Sequence, residues 1–161
     1  MLSTTRDSLI NTLGMPENEN TLKMNVVDSI RGGTIYYHLD TITIKILGYF
    51  SKGLQYIEFE GKVQLSMIDF YKNDKVKICN SKICYDKQLI LNDLLHVYND
   101  YPKEEIRKRK YPRLYGYEEW GYDVWLPIGK YENMELNFDK HKKLRCIHFS
   151  YDNGGILSKN N

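Results

Sequence analysis

Four histidines and a run of carboxylates are the side chains in this sequence best suited to acid–base or nucleophilic chemistry. Glu118, Glu119 and Asp123 lie close together, but general acid–base catalysis needs two carboxylates in different environments, which neighbours on a turn seldom have. The histidines have no metal-ligand spacing; they are His38, His96, His141 and His148. No glycine pair has the strand-to-helix context of a phosphate loop. We therefore predict a protein that is not an enzyme. A small nuclease or hydrolase that uses His141 and His148 is the alternative.

The three cysteines, Cys79, Cys84 and Cys146, form no recognised metal motif. Four residues rather than two separate the first pair, and no histidine pair at ligand spacing accompanies it. The first residues lack a basic start followed by a long apolar run, so we expect no signal peptide, and no apolar run in the sequence approaches the 18 residues of a membrane span. These features predict reduced thiols in a cytoplasmic protein, with no metal, no cofactor and no membrane partner.

The segment from Tyr115 to Trp125 is the densest mixture of aromatic, acidic and glycine residues in the chain. Tyr and Trp bury large areas at a small cost in side-chain entropy, which is typical of the residues that dominate protein interfaces. The competing interpretation is a hairpin whose alternate aromatics pack into the core and whose glutamates lie in a solvated turn. The residues predicted here to contact a partner are Tyr115, Tyr117, Glu118, Glu119, Trp120, Tyr122 and Asp123.

A basic run from Lys103 to Arg113 precedes that segment. It could bind phosphates or an acidic partner, and the competing interpretation is a solvated linker. The whole chain carries 23 basic and 21 acidic residues, for a net charge of +2. Nucleic-acid binders usually carry a larger or more localised excess, so the charge balance disfavours nucleic acid. The residues predicted to supply charge at a protein contact are Arg107, Arg109, Lys110 and Arg113.

The first half of the chain is predicted to be a helix followed by strands. Thr4 can cap the helix, and Gly14 and Pro16 end it. Runs of β-branched and aromatic residues follow, with the alternation of half-buried strands. The predicted strands are Thr34–Leu39, Thr41–Leu47, Leu54–Glu60 and Val63–Tyr71, with turns at Gly32-Gly33, Asp40 and Gly61-Lys62.

The second half repeats this order. Apolar residues at helical spacing predict a helix over residues 87–98. The strands predicted after it are Tyr111–Tyr117, Tyr122–Leu126, Met134–Asp139 and Leu144–Tyr151. We expect an α+β fold in which two short helices pack on one face of an antiparallel sheet and the other face is open to a partner. The 161 residues suit one globular unit, with halves 1–80 and 81–151 and a flexible tail 152–161.

The two halves also match each other in sequence at an offset of 79 residues. Ile57-Glu58-Phe59 corresponds to Leu136-Asn137-Phe138 at this offset. The same offset aligns Leu65, Ile68 and Phe70 with Leu144, Ile147 and Phe149. The order of the matches predicts a tandem repeat of a helix followed by a strand meander.

Two of these motifs resemble small bacterial inhibitor and immunity proteins. They are the helix end Leu13-Gly14-Met15-Pro16 and the predicted hairpin from Leu136 to Phe149. They are similar to tandem helix-plus-sheet repeats of the β-lactamase-inhibitor-protein type, and to immunity proteins of the pyocin/colicin bacteriocin and contact-dependent growth inhibition type. Those inhibitors are secreted and carry disulfides. Because this chain is expected to have neither a signal peptide nor paired cysteines, it resembles the immunity proteins more. The resemblance implies a protein that binds a cognate toxin domain and covers its active site. A non-catalytic adaptor module is the alternative.

Overall fold

The computed structural model describes residues 3–31, 34–111, 119–129 and 132–151. Within these ranges the chain forms a nine-stranded antiparallel sheet, a separate two-stranded sheet and two α-helices. The prediction of an α+β fold built on an antiparallel sheet is therefore confirmed. Neither helix in the described ranges has the length and apolar character needed to cross a membrane.

The strands of the large sheet are, in chain order, β1 (Ser3–Thr5), β2 (Asn18–Arg31), β3 (Thr34–Tyr49), β4 (Leu54–Phe59), β5 (Lys62–Asp69), β8 (Arg107–Tyr111), β9 (Glu119–Gly129), β10 (Glu132–Phe138) and β11 (Leu144–Tyr151). Eight of them run in the spatial order β2-β3-β4-β5-β11-β10-β9-β8, and the short strand β1 pairs with β5 beside this path. The small sheet pairs β6 (Ile78–Cys79) with β7 (Cys84–Tyr85). Strand β5 joins the two halves, because one of its edges pairs with β4 of the first half and the end of its other edge pairs with β11 of the second half. The start of that second edge pairs with β1.

Helix α1 (Arg6–Leu13) begins and ends close to where its sequence signals place it. The Thr5 hydroxyl, rather than that of Thr4, caps the helix by accepting a hydrogen bond from the Ser8 amide at 3.3 Å. Gly14 follows with a φ of 85°, a conformation that favours glycine, and its amide donates to the Ile10 carbonyl.

Helix α2 (Leu91–Val97) begins later than predicted. The residues before it form a turn in which Asp86 accepts hydrogen bonds from the amides of Gln88 and Leu89. Ile90 then has the extended backbone of a helix N-cap. The apolar residues at helical spacing begin at Leu91, where the helix begins, and Leu89 is buried in the turn before it.

Two of the predicted turns differ from what the structure shows. The β4–β5 hairpin turns at Glu60-Gly61, one residue before the predicted position, and both residues have the positive φ that a type I′ turn requires. The turn predicted at Asp40 is wrong, because β3 continues through it. The β2–β3 register shifts between the Asn25–Thr41 and Val27–Tyr37 pairs, so the break in the pattern marks a β-bulge.

One apolar core contains residues from both helices and from the central strands. Leu9 of α1 and Leu94 of α2 belong to the same buried cluster as Val63, Leu136 and Ile147. Both helices therefore pack against the same side of the sheet. Each fully buried aliphatic side chain in this core contributes about 1.5–3 kcal/mol relative to an exposed one.

The register does not confirm a repeat at an offset of 79 residues. Ile68 and Ile147 are separated by that offset and face each other where β5 meets β11. In the neighbouring hairpins, however, Ile57 pairs with Gln64, whereas Leu136 pairs with Ile147 rather than with Lys143. The β10–β11 turn is longer than the β4–β5 turn, so a single ungapped offset does not describe both strands of the hairpins.

The prediction that all three cysteines are reduced is wrong. The sulfur atoms of Cys79 and Cys84 form a disulfide across β6 and β7, and Cys146 is free. The Asn80 side chain completes this hairpin by donating to the hydroxyls of Tyr85 and Tyr98 at 3.2 and 3.1 Å. Spacing alone did not identify the bond, because its formation depends on the turn that brings the two strands side by side.

Candidate functional site

Strands β8 and β9 bring together the two features that the sequence predicts as a contact surface. Their antiparallel register places Arg107 opposite Asp123 and Lys108 opposite Tyr122. The linker interpretation of the basic run is therefore wrong for Arg107–Tyr111, which is an edge strand. Basic residues on an edge strand also discourage pairing with the edges of other sheets.

Several predicted contact residues lie outside the described part of the chain: Arg113, Tyr115, Tyr117 and Glu118. For four others the structure gives the strand position, and their side chains lie outside the described part: Arg109, Lys110, Glu119 and Trp120. The Cα atom of Lys110 pairs with that of Trp120, and the Cα atom of Tyr111 pairs with that of Glu119. The basic and aromatic segments are thus in register over the whole of β8.

The described side chains of this pair of strands differ in exposure. Arg107 is exposed, and Tyr122 is half-buried with the Lys142 ammonium 6.0 Å from its ring centroid. Asp123 is 0% exposed, and its Oδ1 atom accepts a hydrogen bond of 2.9 Å from the Asn137 amide. Asp123 is therefore an interior residue of this structure, in contrast to the surface position predicted for it.

A cluster of polar side chains lies on the sheet face opposite the helices. Asn137 is at its centre, because Nδ2 donates to Asp123 and also to Glu135 at 3.0 Å. The Oδ1 atom of Asn137 accepts a hydrogen bond from the Cys146 thiol, also at 3.0 Å. The Cys146 sulfur lies 3.5 Å from Nε2 of His148. The sequence analysis placed His148 on a strand but gave no sign of these partners, which come from three different strands.

The electrostatics of this cluster favour neutral forms of the thiol and the imidazole. Burial, together with the nearby carboxylates of Asp69, Glu135 and Asp123, raises the pKa of Cys146 to about 12. Burial lowers the pKa of His148, and the same Glu135 and Asp69 carboxylates partly oppose that effect. A nucleophilic cysteine needs a lowered pKa in an electropositive setting. This cluster is therefore suited to holding strands together and not to covalent catalysis.

His141, the other histidine of the hydrolase alternative, is exposed, and its backbone amide donates a hydrogen bond of 2.8 Å to Asp139 Oδ1. His96 is exposed as well. His141 lies in the turn before β11, whereas His148 lies well along that strand. Among the described residues, no three His, Cys, Asp or Glu side chains meet as metal ligands.

The turn between β10 and β11 carries a cluster that the sequence analysis missed. Asp139 is 5% exposed and accepts hydrogen bonds from the Tyr71 hydroxyl at 2.7 Å and from the Lys143 amide at 2.9 Å. This aspartate fixes the turn, in which Lys142 has a φ of 64°. The lysines at positions 140, 142 and 143 are exposed. An aspartate followed by several basic residues is a turn signal that could have identified the cluster.

A hollow of about 190 Å³ lies beside this turn. It is lined by Phe70, Tyr71, Lys87, Gln88, Lys143 and Leu144.

No known protein family, curated protein or solved structure matches this chain. Any proposal about its binding partner therefore depends on the chemistry of its surface. Two basic features of that surface are the edge strand β8 and the turn between β10 and β11.

Proposed function

We propose that this protein is a non-catalytic immunity or inhibitor protein that binds a cognate toxin domain and covers its active site. The observation that carries the proposal is the register of β8 on β9, which sets Lys108 and Lys110 opposite Tyr122 and Trp120. Basic residues accelerate the encounter with an acidic partner, and a few aromatic residues usually dominate the affinity of the complex. A stable complex of this kind buries about 1,600 Å² in total.

The chemistry of the buried cluster supports a binder over an enzyme. The thiol of Cys146 donates to Asn137, and its raised pKa keeps it protonated at neutral pH. The choice of a toxin as the partner is supported by the resemblance of the Leu13-Gly14-Met15-Pro16 and Leu136–Phe149 motifs to immunity proteins. An adaptor without a toxin partner is the alternative, and it would share the same surface.

The proposal includes a cytoplasmic site of action and an origin of the two halves by duplication. Support for duplication comes from the strand order, because β5 and β11, each the last strand of the large sheet in its half, lie side by side with Ile68 opposite Ile147.

The Cys79–Cys84 disulfide bears on the location, because a disulfide is more typical of an oxidising compartment. Trapping the thiols of both cysteines in intact cells tests the location, because a cytoplasmic protein is expected to yield the reduced form.

Co-expression tests the proposed function directly. The tagged protein is produced together with the product of the neighbouring open reading frame, and the complex is isolated by affinity and size-exclusion chromatography. We expect a one-to-one complex, and we expect the neighbour to arrest growth only when this protein is absent. A neighbour that neither binds nor harms cells contradicts the toxin proposal. A complex with a harmless neighbour favours the adaptor.

Two substitutions locate the contact within such a complex. Trp120→Ala is expected to weaken binding by about thirtyfold, since aromatic hot spots contribute about 2 kcal/mol or more. Arg107→Glu is expected to slow association, with an effect that shrinks as salt is added. Lys23→Glu, at an exposed position of β2 at the other end of the sheet, is the matched control for the charge change.

A further inference from the structure

The hollow beside the β10–β11 turn is built from three segments of the chain that are tied by backbone hydrogen bonds. The Phe70 amide donates to the Arg145 carbonyl at 2.9 Å, which joins the end of β5 to β11. The Leu144 amide donates to Leu89, and the Leu91 amide donates to Lys142, both at 2.9 Å. These bonds fix the turn against the start of α2. The shape of the hollow is therefore set before anything binds.

The floor and the rim of the hollow differ in chemistry. Phe70 and Leu144 are buried and form an apolar floor, whereas Tyr71 is 59% exposed at the rim. The Tyr71 hydroxyl is held by Asp139, and the Arg145 guanidinium lies 5.6 Å from the centroid of its ring. A group that enters the hollow would therefore contact the Tyr71 ring, which is held in place by Asp139 and lies next to the Arg145 guanidinium.

The charge around the rim is positive. Lys87 is paired with Asp74 at 3.1 Å, and the Asp139 carboxylate is occupied by Tyr71 and by the amides of the turn. Among the residues that the structure describes, Lys143 has no acidic side chain within ion-pair distance, although it is exposed and lines the hollow. A cation at the mouth of an apolar hollow favours a ligand that has a short apolar stem and an anionic tip.

We propose that this hollow receives the carboxylate side chain of an acidic residue on the protein partner, with Lys143 as its counter-ion. Its size supports a side chain over a free metabolite, because small-molecule sites usually span about 300–1,000 Å³ and the hollow holds about 190 Å³. Lys142, next to Lys143, lies beside the Tyr122 ring of β9. The turn that borders the hollow therefore also contacts β9. The inference rests on the proposed function and adds the chemistry of the partner's contacting group.

An amide chemical-shift titration of the full chain tests this without the cognate partner. The probe is a capped pentapeptide with two glutamates among alanines, and the comparison probes are the same peptide with glutamine and inorganic phosphate. We expect saturable shifts at the amides of Tyr71, Gln88 and Lys143 with the acidic peptide. Binding of the glutamine peptide is expected to be about tenfold weaker, which corresponds to the loss of one charge-assisted contact. Lys143→Gln is expected to weaken binding of the acidic peptide by the same factor. Lys62→Gln, at the far end of β5, is expected to leave the affinity for that peptide unchanged.

Equal shifts with both peptides, or no saturable shift with either, would overturn the proposal. Tighter binding of phosphate at the same amides would also overturn it, because the hollow would then be a phosphate site. If the partner complex forms equally well with Lys143→Gln, the hollow is not part of the contact, although the β8–β9 surface still is. If the peptide binds as expected and no protein partner is found, the proposed function fails and the assignment of a carboxylate site stands.

Discussion

Leu136 and Asn137 are neighbours on β10, and they face opposite sides of the same sheet. Leu136 is 0% exposed and lies in the apolar core beneath the helices. Asn137 is 3% exposed and joins three partners in the polar cluster on the other face. Two residues with nearly equal burial are thus held by different forces. One face is stabilised by area removed from water, and the other by hydrogen bonds whose geometry depends on strand register.

The difference affects how each face tolerates change. Apolar contacts are non-directional, so the core face accepts another apolar residue of similar volume at a small cost. A buried amide needs its donors and acceptors at fixed positions, because an unmet hydrogen bond costs about 1–3 kcal/mol. A one-residue slip of β10 would move Asn137 into the apolar core and Leu136 into the polar cluster. The polar face therefore specifies the register more strictly than the core face does.

The largest effect is expected for Leu136→Ala on the core face. Removing the side chain loses its burial and leaves a cavity that the packed sheet and helices cannot close completely. We expect the free energy of unfolding to fall by about 3–4 kcal/mol, measured by urea denaturation. Leu136→Met keeps the volume and is expected to cost less than about 1.5 kcal/mol. Equal losses for the two variants would show that cavity formation is not what holds this face.

Asn137→Ala tests the other face at the neighbouring position. Asp123, Glu135 and Cys146 each lose one hydrogen bond, and we expect a loss of about 2–3 kcal/mol in the same measurement. Asn137→Leu is the matched control, since it fills the volume with an apolar side chain and lacks the donor and acceptor. If Asn137→Leu is as stable as the unchanged protein, the polar face is held by packing, and its contrast with the core face disappears.

The core face could be predicted from the sequence, and the polar face could not. Alternating apolar residues indicated the strand Thr41–Leu47, which lies in β3, because burial on one face imposes a period of two. The same alternation leaves the other face unspecified, so nothing near Asn137 indicated that Cys146 and Asp123 would meet there. Long-range pairing sets those contacts, and it depends on a β5–β11 junction that local patterns do not encode. The register shift at Asp40 was misread as a turn for the same reason.

The contact surface shows a similar division. Composition identified the basic run and the aromatic segment, and Arg107 of the basic run is exposed. It did not predict that the run would become an edge strand paired with β9, because a strand of mostly Lys and Arg lacks the β-branched residues that signal one. The turn after Asp139 was predicted, but the hydrogen bond from Tyr71 to Asp139 and the hollow beside the turn were missed, because their residues come from separate segments of the chain.

Acid is expected to weaken the polar face more than the core face, through His148. Burial lowers the pKa of His148 in the folded state, so below about 6.5 the unfolded chain binds the proton more readily. This contribution to stability is complete above the unfolded pKa and is lost as the pH falls below it. Between pH 7.5 and 5.5 we expect a loss of at most about 1.4 kcal/mol that His148→Asn abolishes. An unchanged pH dependence in His148→Asn, with His96→Asn as the exposed control, would assign the loss to other groups.

Alkali is expected to produce the smallest effect, through Cys146. Its pKa is raised from 9.0 to about 12 in the folded state, mainly by burial, so above pH 9 the unfolded chain releases the thiol proton and the folded chain keeps it. Stability from this group is therefore complete below pH 9 and declines above it. Between pH 8.5 and 9.5 we expect a loss of about 0.7 kcal/mol that is absent in Cys146→Ser, whose hydroxyl does not ionise in this range and can still donate to Asn137. The disulfide between Cys79 and Cys84 must stay intact in both proteins, so the comparison is made without reductant. A loss that persists in Cys146→Ser would mean that tyrosines or lysines cause it, and the thiol would then have no part in what distinguishes the two faces.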